Sequence, residues 1–90
     1  PLNMGILYLV CGRLSYEAAM RRAQAGDGVV VLDPKGEVDM IGRLPAKEGV
    51  ERWMLEEFAG DKRPGWRSLN IEGWVALTER YPLLISWEGD

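Results

Sequence analysis

Gly5-Ile6-Leu7-Tyr8-Leu9-Val10 and Val29-Val30-Val31-Leu32 are two short apolar runs, and Ser15-Tyr16-Glu17-Ala18-Ala19-Met20 lies between them. A continuous apolar run without alternation is the pattern of a strand buried on both faces. In the intervening segment Tyr16, Ala19, Met20 and Ala23 fall at i, i+3, i+4 and i+7, which lays one apolar stripe along a helix. Ser15 reads as the helix N-cap, because its hydroxyl can accept from the unpaired amides of a first turn. Gly26 reads as the left-handed residue that closes the helix. Strand, capped helix and buried strand in succession make a βαβ unit, and hence a parallel sheet with a right-handed crossover.

Outward from this unit the pattern is less regular. Asp33-Pro34-Lys35-Gly36 either turns a hairpin into residues 37–41 or leaves the strand toward a short helix. Val50, Trp53, Met54 and Phe58 sit at helical spacing and predict a helix over 47–59. Lys62-Arg63-Pro64-Gly65 is a turn, and Ser68-Leu69-Asn70 suits a short strand. Ile71, Trp74, Val75, Thr78 and Tyr81 repeat with helical period up to Pro82, which marks the helix end. Leu83-Leu84-Ile85-Ser86-Trp87 supplies a last strand. The expectation is one α/β domain over 1–90, a three-layer sandwich whose mainly parallel sheet of four to five strands is flanked by helices.

Composition excludes more function than it suggests. The 90 residues hold 11 Lys+Arg against 14 Asp+Glu, a net charge of −3, so a phosphate-tracking surface and direct nucleic-acid binding are not expected. With no histidine, neither a Ser-His-Asp nor a Cys-His arrangement can form, and the commonest zinc ligand is missing. One cysteine forms no internal disulfide and no CxxC pair, which fits a reducing compartment. There is no GxxxxGK loop, and Gly26-Asp27-Gly28 precedes a strand, the wrong side for a dinucleotide fingerprint. Neither a membrane span nor a secretory signal is visible, so a cytoplasmic chain without cofactor or metal is expected. Glu56-Glu57 and Asp33, Glu37 and Asp39 read as a solvated helix face and a polar turn rather than an acid/base pair or oxygen-ligand site.

Cys11 lies at the carboxyl end of the first strand, directly before a helix, where open α/β sheets place ligand sites. Two readings compete. An unpaired cysteine can finish a buried strand as a small hydrophobe. Alternatively the helix dipole and Arg13 favour a thiolate, which makes Cys11 a nucleophile and Gly12, Arg13 and Ser15 a candidate anion- or ligand-binding set. Of the four tryptophans, Trp53 and Trp74 fall on helical stripes and read as core. Trp66, after a turn, and Trp87, near the last strand's end, suit either the core or a protein interface.

The ordered succession of these segments resembles the DsrH/TusB family of small sulfur-relay proteins. The residues that carry the resemblance are the first strand, 15–20, Ala23-Gln24-Ala25-Gly26-Asp27, Val29 to Asp33, and the closing stretch Ile71-Glu72-Gly73-Trp74-Val75-Ala76-Leu77-Thr78-Glu79-Arg80-Tyr81-Pro82 with Ile85-Ser86-Trp87. The resemblance implies a DsrE-like fold, with 50–55 a strand where the periodicity puts a helix. It implies assembly with DsrE- and DsrF-like (TusD- and TusC-like) subunits, or a homo-oligomer, in persulfide sulfur transfer for transfer-RNA thiolation or sulfur oxidation. Some members carry a cysteine in the first helix where this chain has Ala19, and an aspartate before the last helix where it has Asn70. An accessory interaction subunit is therefore the leading expectation, with a persulfide carrier using Cys11 or a stand-alone homo-oligomer as alternatives.

Overall fold

The computed structural model describes residues 5–32, 36–59 and 64–87, with Phe58, Ala59 and Trp87 described by their backbone alone. Five strands, β1 (Ile6–Val10), β2 (Gly28–Val31), β3 (Glu51–Leu55), β4 (Arg67–Leu69) and β5 (Leu83–Trp87), form one all-parallel sheet in the order β4-β3-β2-β1-β5. The helices are α1 (Arg13–Arg22), α2 (Val38–Ile41), α3 (Glu56–Ala59) and α4 (Ile71–Arg80). From β1 to β4 each strand is laid beside its predecessor, whereas β5 returns across the sheet to the free side of β1. A constant crossover hand must then put the helix before β5 on the opposite face from the earlier ones.

Side-chain packing follows that rule. On the first face Tyr16 and Ala19 of α1, Ala23 just beyond it and Ile41 of α2 pack against Tyr8, Val10, Val29, Val31 and Met54. On the second face Leu77 of α4 and Tyr81 pack against Leu7, Val30, Trp53 and Leu69. The central strand β2 is buried along its whole length. At its start an added Cβ on Gly28 would lie 2.7 Å from the Trp53 ring and 2.9 Å from the Tyr81 hydroxyl, so only glycine lets those two rings close over the sheet. Asp27, itself buried, ties the lower edge together: its carboxylate accepts from the amides of Ile6 (2.9 Å) and Gln24 (2.8 Å).

Four local expectations are corrected. Residues 51–55 form a strand, as the resemblance implied, and the helix expected over 47–59 is only the single turn of α3. The spacing of Val50, Trp53 and Met54 imitated a helix because β3 is covered on both sides and has lost the alternation that marks a strand. Ser15 is not the N-cap. Gly12 occupies that position, and Ser15 reaches back from the first turn. Gly26, at φ 98°, shapes the turn before β2, since α1 has already ended at the extended residue Ala23. Finally, α4 turns a partly different face inward: Leu77 is buried beside Tyr81 and Trp74 of the expected stripe, while Ile71 and Val75 of that stripe are 82% and 53% exposed. Residues 37–41 resolve as the short-helix alternative, α2. The turns expected at Asp33-Pro34-Lys35 and Lys62-Arg63 lie outside the described residues.

Candidate functional site

Two places at the carboxyl edge of the sheet hold the candidate chemistry. The first is the junction of β1 and α1, where Cys11 is a half-exposed free thiol. Its neighbours Gly12, Arg13 and Ser15 are brought together as expected, but their donors already have acceptors within the chain. The amides of Cys11 and Gly12 both donate to Ser15 Oγ, at 3.1 and 3.0 Å, and that hydroxyl donates to the Gly12 carbonyl at 3.0 Å. The Arg13 amide donates to Glu37 Oε1 at 2.8 Å, so a carboxylate from the loop before α2 sits where an external anion would bind. The Arg13 guanidinium lies against Glu17 (3.4 Å) and Met40 (3.5 Å).

The second place is a groove of about 580 Å³ over the ends of β2, β3 and β4. Its floor is apolar: Leu32 just beyond β2, Leu55 ending β3, Leu69 ending β4, and Ile71 and Trp74 from the first turn of α4. Asn70, the N-cap of α4, accepts from the Gly73 amide at 2.9 Å and so fixes where the helix begins. Among the described residues, every charged one lining the groove is acidic: Glu56 and Glu57 from α3, Glu72 from α4. The position is meaningful. Crossovers of one hand carry the chain away from β3 and β4 toward opposite faces, and such a divergence opens the crevice where open α/β sheets bind ligands.

Sequence reading singled out none of these groove residues as a site. The floor residues look like ordinary strand ends and helix starts, and only the topology gathers them. Glu56-Glu57 was visible as an acidic pair, but the third carboxylate, Glu72, lies across the strand-to-helix turn at Asn70.

Trp66, expected at a core or an interface, is half-buried and held from three sides. Its Nε1 donates to the Gly42 carbonyl (3.3 Å), its ring lies 5.9 Å from that of Tyr16, and the Arg52 guanidinium stacks 4.2 Å from its centroid. Arg52 is buried, donating to Tyr16 Oη and the Leu44 carbonyl, both at 2.9 Å. Trp87 ends β5 beside Val10; its side chain lies outside what is described. Among the described residues the exposed large apolar ones are Leu14, Met40, Ile71, Val75, Leu83 and Leu84.

Among the described residues no helix is long and apolar enough to cross a membrane, and no three His, Cys, Asp or Glu side chains are grouped to hold a metal ion. No family model matches the chain, and no curated protein does.

Proposed function

We propose that this chain is a cytoplasmic interaction subunit of a persulfide-relay assembly, holding DsrE- and DsrF-like partners rather than carrying sulfur itself. The resemblance at 5–33 and 71–87 motivates the sulfur context. The observation that carries the interaction role is the state of β5 and the helix before it. β5 is an edge strand with Leu83 53% and Leu84 44% exposed, and Val75 of α4 is 53% exposed. An exposed apolar strand at the edge of a sheet invites association, which a partner strand or helix satisfies.

The test is capture of the tagged chain from its own cells, followed by identification of bound proteins by mass. Stoichiometric recovery of two small DsrE-like proteins, lost on Leu84→Lys, is the expected result. A chain that comes down alone, at monomeric mass in solution, would sink the proposal.

A second reading has one observation in its favour, the half-exposed thiol of Cys11 at the strand end. There the Cys11 thiolate attacks the outer sulfur of a donor persulfide, the donor leaves as its thiol, and Cys11 carries the sulfur onward. This reading expects Cys11 to be alkylated by iodoacetamide in the native protein. A thiol that reacts only after unfolding removes it.

A further inference from the structure

From its shape and charge we infer that the groove between α3 and α4 docks a basic segment of a partner protein, one bulky apolar side chain entering it between flanking lysines or arginines. This goes beyond the assembly role of β5 and does not depend on any sulfur chemistry.

Three observations converge. The first is size and lining: about 580 Å³ floored by Leu55, Ile71 and Trp74 is room for one or two large apolar side chains rather than for a polar metabolite. The second is charge. Among the described residues, Glu56, Glu57 and Glu72 stand around an apolar floor with no basic residue in the lining and none of the three in an ion pair. Elsewhere on the same surface carboxylates do find cations: Glu51 meets Arg80 at 2.7 Å and Arg67 at 3.4 Å, and Glu17 meets Arg13. Three carboxylates facing one groove repel one another, and an incoming cation relieves that repulsion. The third is Ile71, 82% exposed in the groove although it opens a helix whose Leu77 is buried in the core. A basic segment with an apolar anchor matches all three. An acidic peptide or a phosphate-bearing ligand conflicts with the second.

The probe is a fluorescein-labelled peptide of about nine residues, two leucines flanked by lysines, followed by anisotropy on the full chain. Two control peptides carry glutamates for the lysines or serines for the leucines. The expected result is saturable binding of the first peptide alone. It weakens at least about tenfold in the triple variant Glu56→Gln, Glu57→Gln, Glu72→Gln, and by a similar factor on raising salt from roughly 0.05 to 0.5 M. Ile71→Ser weakens it at low and high salt alike. All four positions are exposed, so far-UV circular dichroism of the variants should match the parent. No binding by the first peptide overturns the inference, as does equal binding of the acidic peptide or an unchanged affinity in the triple variant. If the triple variant abolishes self-association of the chain instead, the occupant is a second copy presenting exposed Leu14 beside Arg13, and the basic-partner inference falls.

Discussion

Ser15 shows how much one oxygen can organise. Its hydroxyl is the shared acceptor for the amides of Cys11 and Gly12, and it is buried, so Ser15→Ala leaves two backbone donors at the β1–α1 junction without their partner. The expected cost is about 2 kcal/mol, read as a lower urea midpoint with an unchanged slope, and Ser15→Thr should recover part of it. A midpoint within error of the parent would mean that water replaces the hydroxyl at both amides. The residue was legible in the sequence as a helix-start signal, three residues late. The displacement is physical. Serine at the third helical position can bond backward to the cap, and with glycine at the cap no side chain there competes for the role. Arg52 was not legible at all. The charged pair Glu51-Arg52 between Val50 and Trp53 looks like a break in a strand, yet here the flat guanidinium lies against Trp66 while donating to Tyr16 and Leu44. No local spacing announces contacts that join residues 16, 44, 52 and 66.

At the scale of elements, β1, α1, β2, α4 and β5 could be read directly, because each combines an apolar pattern with an end signal within its own length. β3 could not, since burial on both faces removes the period that identifies a strand. The second face of α4 was misjudged for a related reason: the helix carries apolar residues on two sides, and sequence period alone does not say which side meets the sheet. Leu77 and Tyr81 reach the core because Gly28 leaves room for the Tyr81 hydroxyl over β2. What remains outside, Ile71 toward the groove, Val75 beyond it and Leu83 and Leu84 along the edge, supplies the two surfaces assigned here to partners. Leu84→Lys and the glutamate-to-glutamine triple variant separate them, since the first alters the edge strand and the second alters the groove. Loss of both interactions on either change would show a single continuous surface.

For the whole molecule, three buried phenols set an alkaline limit. Tyr8, Tyr16 and Tyr81 each sit among apolar side chains, and burial raises their ionisation above the usual 10.0. Arg52 beside Tyr16 and Arg80 beside Tyr81 oppose the rise, while the charge of Asp27 adds to it at Tyr8. Below pH 10 both folded and unfolded chains keep these protons. Above it the unfolded chain loses them first, so the folded state binds more protons and stability falls as pH rises. Urea midpoints should therefore hold level through pH 9 and decline beyond about 10, more steeply for the parent than for Tyr16→Phe. A midpoint that stays level to pH 11 would show that the phenols ionise without opening the fold. The order of the sheet carries a different consequence, one of time. β1 leaves the ribosome first among the strands, yet one of its two neighbours, β5, is made last. At ordinary rates of synthesis the row of backbone groups that β5 will cover stays open for roughly ten seconds while the intervening residues are made. A nascent chain that already holds β1 to β4 thus exposes β1 as a second apolar edge, a target for any passing strand or chaperone until the last strand arrives.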